Sequence, residues 1–165
     1  MLGWIRTAAA AVTTKIRITT SVVKLPIRQP AIVAKQLSSL AVLSNNRIGL
    51  GVGLSPWPED FEACQIPWEK RGQRMDEMIE IIRGLMKGDY FGYKGQIFEM
   101  EAIKLCPVPS QPVPILIGGH ADAALKRAAR IGDGWIGTVN LMHDPETMLF
   151  FEPGHQPEGS ECVRF

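Results

Sequence analysis

The chain has 165 residues, of which 45% are hydrophobic and 21% charged, with a formal net charge of +1. This is the composition of a globular domain with a real core. The near-zero charge removes the electrostatic case for nucleic acid or an anionic membrane surface as partner. Three cysteines (Cys64, Cys106 and Cys162) cannot all pair and form no C-x-x-C, which fits a reducing cytoplasmic compartment better than a disulfide scaffold.

Residues 1–13 are apolar, but Arg6 interrupts the run instead of preceding it, so a signal peptide is not expected. Residues 4–12 read instead as the tail of a helix, with Ala8 to Ala11 as strong formers. No stretch approaches the roughly 20 apolar residues of a membrane span.

Residues 15–23 read as a strand whose apolar, β-branched run suggests burial on both faces. Pro30 suits a first helical turn, and the helix over 31–43 presents Ile32, Val33, Leu37, Leu40 and Ala41 as one face. Ser44-Asn45-Asn46 stops it, and residues 47–53 form a second strand. Strand, helix, strand is a βαβ unit with parallel strands and a right-handed crossover. Ligands of such folds sit at the carboxyl ends of the strands. Here those ends are Ser21-Val22-Val23 and Gly51-Val52-Gly53-Leu54.

Residues 54–68, with three prolines and two tryptophans, read as a loop. The helix over 69–87 has the clearest period: Met75, Met78, Ile79, Ile82, Leu85 and Met86 on one face, Asp76, Glu77, Glu80, Arg83 and Lys87 on the other. Gly88 ends it. Residues 90–105 form a hairpin turning near Lys94-Gly95, and 106–114 a connector with four prolines. Residues 113–117 form a third parallel strand, which runs through Gly118-Gly119-His120 into a helix over 121–131 that packs Ala121, Ala124, Leu125, Ala128 and Ala129. Trp135-Ile136-Gly137 is a fourth strand. Residues 141–165 show no helical period and are expected to be a poorly ordered tail.

Two motifs carry chemistry. Gly49-x-Gly51-x-Gly53 reads two ways: a strand packed tightly inside a barrel, or a strand end cleared for a flat ring. Gly118-Gly119-His120, between a strand and a helix, exposes backbone N–H groups to an anion, although a tight turn without ligand has the same sequence. His120 reads equally as a ligand contact or as a solvated or capping histidine. His143, His155 and Cys162 lack metal-ligand spacing, and no nucleophile-base set assembles.

The segments ITTSVVKLPIRQPAIVAKQLSSLAVLSNNRIGLGVG, WEKRGQRMDEMIEIIRGLMKG, YFGYKGQIFEM and PVPILIGGHADAALKRAARIGDGWIG, in this order within about residues 4–140, resemble the luciferase-like monooxygenase family. Thr20-Ser21-Val22 is more similar to the branch that uses the deazaflavin coenzyme F420 than to the FMN branch. The resemblance implies an α/β fold: a partial (β/α)8 TIM barrel comprising about strands three to six. Residues 1–140 would form the barrel domain, with 54–112 as the family's insertion region, and the chain would be a fragment.

The resemblance further implies a non-prolyl cis peptide at Ser21-Val22, a ring site along Ser21, Val22, Gly51, Gly53 and Leu54, and a phosphate site at Gly118, Gly119 and His120. Chemistry would be hydride transfer to or from a small-molecule substrate, with F420, or alternatively FMN, as cofactor. A glutamate that some F420-dependent sugar-phosphate dehydrogenases use would fall at Pro56, which argues against that substrate. Catalytic acid and base residues lie partly on strands this chain lacks, so none is assigned. An open sheet would leave Ile16, Ile18, Leu50 and Ile117 short of partners and favour a homo-oligomer.

Overall fold

The computed structural model describes residues 4–138 and 148–151. After helix α1 (Trp4–Val12) comes not one strand but two short ones, β1 (Ile18–Thr19) and β2 (Val23–Lys24). Both lie parallel to β3 (Ile48–Gly53), Ile18 opposite Ile48 and Val23 opposite Val52. The expected strand over 15–23 is therefore broken at residues 20–22, where the Ser21–Val22 peptide is cis. Inside the gap the Thr20 hydroxyl donates to the Gly51 carbonyl oxygen at 2.5 Å, a side-chain bond between two backbone ladders. Residues 15–17 precede the ladder, whose first bond runs from the Ile18 N–H to the Arg47 carbonyl, and Ile16 is 62% exposed.

A 3-10 turn (Leu25–Ile27) leads to α2 (Pro30–Leu43), which has Pro30 in its first turn as expected. Val33, Ala34, Leu37, Leu40 and Ala41 are buried, whereas Ile32 is exposed. Ile32 sits one residue, or about 100°, off the stripe that Val33, Leu37 and Leu40 define. Asn45 and Asn46 both adopt left-handed backbone, and the Asn46 N–H closes the helix on the Ala41 carbonyl.

The stretch read as a loop contains a short helix, α3 (Pro58–Ala63). Pro58 in its first turn and the acidic Glu59 and Asp60 suit a helix start. In α4 (Arg71–Leu85) the expected apolar face is buried, but Glu77 is not on a solvated face. A hairpin of β4 (Phe91–Lys94) and β5 (Glu99–Ile103) folds over it. The buried Glu77 carboxylate accepts the backbone N–H groups of Gln96, Ile97 and Phe98 at 3.0–3.3 Å.

The chain then forms β6 (Ile115–Gly118), α5 (Asp122–Ile131), β7 (Gly134–Thr138) and β8 (Met148–Phe151). The main sheet runs β1-β3-β6-β7-β8, with β2 also on β3. All its pairs are parallel except β7 with β8. Within the expected tail over 141–165, Met148–Phe151 is thus a strand, and the rest of that tail lies outside the described residues. In α5 only Ala128 of the expected packing set is buried, and Leu125 is 41% exposed.

Alternation along the strands assigns the two faces. Ile48, Leu50 and Val52 of β3 and Ile115 and Ile117 of β6 join the core with α2 and α4. Leu50 and Ile117 are 2% and 0% exposed, so the expectation that they would lack partners does not hold. Helices α2 and α4 already cover that side. Gly49, Gly51 and Gly53 face the concave side of a parallel sheet curled into a half-barrel. Among the described residues no helix is long and apolar enough to cross a membrane.

Candidate functional site

The bulge between β1 and β2 meets the carboxyl ends of β3 and β6 through one side chain. A Cβ built on Gly53 would stand 2.9 Å from Val22 Cγ2, and one built on Gly118 would stand 2.6 Å from Val22 Cγ1. Val22 is thus wedged between two glycines on adjacent strands. A Cβ on Gly51 would collide with the Thr20 carbonyl oxygen and stand 2.5 Å from Ile136 Cδ1. The space these glycines clear is therefore taken by the chain's own Thr20, Val22 and Ile136. Ser21 is exposed at the crest of the bulge. Leu54 is half-buried and packs on the apolar core.

Gly119 adopts φ +127°, a conformation that suits glycine. Its carbonyl accepts the indole N–H of Trp135 at 2.7 Å, and the Trp135 ring meets His120 edge-to-face with centroids 5.8 Å apart. His120 is exposed. The first turn of α5 carries Asp122, whose charge opposes that of a bound anion. From the sequence Trp135 is only a strand residue, because it lies 16 residues from the carbonyl it holds.

A further cluster borders the same edge. Lys24 lies opposite Gly53 in the β2–β3 register, so its side chain leaves from the concave face. Its ammonium pairs with Asp60 Oδ2 at 2.5 Å and lies 4.7 Å from the centroid of the Trp57 ring. The buried Ser55 hydroxyl donates to the same Asp60 oxygen and accepts the Trp57 N–H at 3.2 Å. Bonds from Lys24 and Ser55 hold the Asp60 carboxyl below its ordinary value.

Of the eight expected site residues, Val22, Gly53 and Gly118 are in direct juxtaposition, Gly51 is covered by the bulge, and Gly119 and His120 are tied to Trp135. Only Ser21 and His120 among them carry a side chain able to exchange a proton with a ligand. The edge presents mainly backbone and apolar surface.

A parallel sheet with crossover helices and a glycine-lined carboxyl edge defines the class as a partial (β/α) barrel. The chain belongs to the luciferase-like monooxygenase family, whose model matches residues 5–148. It is 60% identical over 129 residues to an uncharacterized protein of Mycobacterium tuberculosis, covering 78% of this chain and 44% of that protein. It is 34% identical over 141 residues to the F420-dependent glucose-6-phosphate dehydrogenase of Amycolatopsis mediterranei, covering 83% of this chain and 42% of the enzyme. The structure resembles monooxygenase RslO1 from Streptomyces bottropensis with a TM-score of 0.72 at 28% identity, covering 79% of this chain and 40% of that one. The chain therefore spans less than half the length of these relatives.

Proposed function

We propose that this chain carries the coenzyme-binding part of an F420-dependent oxidoreductase that transfers hydride between a deazaflavin and a small organic substrate. The observation that carries this reading is the seating of Val22 against both Gly53 and Gly118. It joins the bulge and two strand ends into one surface where barrel ligands bind. The similarity to an F420-dependent dehydrogenase supports the choice of coenzyme.

The residues present fit such a group. Ser21, Val22, Gly51, Gly53 and Leu54 would support the ring, which would rest on the bulge because the glycine space beneath is filled. Gly118, Gly119 and His120 would hold the phosphate. A Cβ on Gly119 would stand 3.0 Å from Ala124 Cβ, so a side chain there would press on the first turns of α5. When bound, the coenzyme supplies the hydride chemistry. The protein's part is to bind and orient it and to shield one face from water.

The test is an absorbance titration of the purified chain with F420 and with FMN, combined with hydrogen exchange. Saturating F420 is expected to protect residues 21–23 and 51–54. Unchanged exchange at both segments would remove the ring site.

FMN-dependent monooxygenation is the alternative within the family, and the likeness to the monooxygenase RslO1 favours its oxygenase part. Tighter binding of FMN than of F420 would select it. A second reading is a non-catalytic chain that acts through association with another copy. Val12, Ile16 and Leu43 are 83%, 62% and 69% exposed. The α1 and α2 ends near them converge on Arg47, whose guanidinium bonds the carbonyls of Ala10, Thr13, Ile16 and Ser44. Sedimentation of the chain distinguishes this homo-oligomer from a monomer.

A further inference from the structure

We propose that Trp57 forms a substrate-contacting wall at the carboxyl mouth of the sheet, and that this wall takes a neutral, flat or apolar organic group in preference to a phosphorylated sugar. The inference rests on the reading of this edge as an active-site edge and adds a substrate class to it.

A lone exposed tryptophan needs no explanation, but Trp57, 57% exposed, has its backbone N–H held by Ser55 and a pinned ammonium over its ring. Its N–H is fixed to Ser55, its ring lies under the Lys24 ammonium, Lys24 is pinned by Asp60, and Asp60 by Ser55. Such a clamp holds a large apolar surface in one orientation before any ligand arrives, which reduces the ordering cost of binding. The clamp stands at the mouth, because Lys24 leaves the concave face opposite Gly53, the glycine against which Val22 is wedged.

The charges around the ring define what it accepts. Lys24 is engaged by Asp60, and Glu59 and Glu62 lie on the same short helix. With Asp60 neutralising the ammonium beside the ring, a phosphate gains little there and the indole is the attractive feature. A planar or apolar group gains from stacking on an aromatic face without needing a charge. Trp57 is therefore the contact residue, and Lys24, Asp60 and Ser55 are positioning residues.

The test uses the purified chain and two probes, 2-naphthol and glucose 6-phosphate, titrated by calorimetry. Trp57→Ala is expected to weaken 2-naphthol binding about tenfold, while Trp57→Phe keeps it within about threefold. Lys24→Met is expected to weaken it by a smaller factor and to shift the Trp57 emission, read as the difference between parent and Trp57→Phe. A merely structural lysine would leave that emission unmoved. Glucose 6-phosphate is expected to bind no better to the parent than to Trp57→Ala. The proposal is overturned if 2-naphthol fails to bind the parent, if it binds Trp57→Ala equally well, or if the parent prefers glucose 6-phosphate. A parallel F420 titration separates the two readings. Coenzyme binding with no Trp57 effect sinks the wall alone. A Trp57 effect without F420 or FMN binding sinks the coenzyme reading alone.

Discussion

Val22 Cγ1 lies 2.6 Å from the point a Cβ on Gly118 would occupy, so the bulge after β1 and the turn into α5 form one continuous packed surface. Gly118→Ala is expected to destabilise the chain by about 1–3 kcal/mol, the usual cost of forcing a methyl group into a filled space. The valine cannot retreat freely, because its other methyl lies 2.9 Å from the corresponding point on Gly53. Denaturant midpoints of the variant and parent check this. Pairing Gly118→Ala with Val22→Ala should recover part of the loss, and strict additivity of the two changes would show that they do not share a contact.

Gly119→Asp is expected to weaken coenzyme binding by placing a carboxylate at the proposed phosphate turn. Gly119 is at φ +127°, so any side chain there is strained, and the control is Gly119→Asn, which has similar size and no charge. Affinity for F420 should fall further for the aspartate than for the asparagine, and the gap should narrow with added salt. Equal losses in the two variants would assign the effect to backbone strain and remove the anion from this turn.

Glu77→Ala is expected to loosen the hairpin of β4 and β5. It deletes the acceptor of the Gln96, Ile97 and Phe98 N–H groups, and hydrogen bonds to a charged acceptor are strong enough that about 2–3 kcal/mol should be lost. Faster hydrogen exchange confined to residues 95–103 would accompany it. Exchange there unchanged from the parent would mean that the hairpin stands by its own pairing.

What the sequence made legible was local. The five apolar positions of α4 from Met75 to Leu85, and Met86 at its cap, are all buried because a 3.6-residue period survives whatever packs against it. The glycines of β3 announced a close approach, though not that Thr20, Val22 and Ile136 would fill it. Glu77 shows the limit. Its helical phase puts it among the polar residues, and only the fold of the hairpin, about 20 residues onward, buries it. Lys24 and Asp60 are 36 residues apart, and nothing in either one's surroundings in sequence points to the other. The α3 start signals at Pro58, Glu59 and Asp60 were present but stood in a proline-rich stretch. Ile32 fell outside the core because a β-branched apolar residue beside the stripe looks, in sequence, like part of it.

The clamp on Trp57 should open under acid. Asp60 has its carboxyl held below the ordinary value of 3.8 by the Lys24 and Ser55 hydrogen bonds. A depressed carboxylate contributes fully above its unfolded value and loses its contribution as pH falls through the lower folded value. Trp57 emission, read as parent minus Trp57→Phe, should therefore stay flat from neutral pH to about pH 4 and change only below it. Asp60→Asn should abolish that step and leave the emission near its acid-form value at all pH, because the ammonium then loses its anionic partner at every pH. Added salt should weaken the pair only in part, since a hydrogen bond as well as charge holds it. An emission change with its midpoint at or above the ordinary carboxylate value would mean that Asp60 is not engaged by Lys24 in solution. Trp57 would then be a mobile surface side chain.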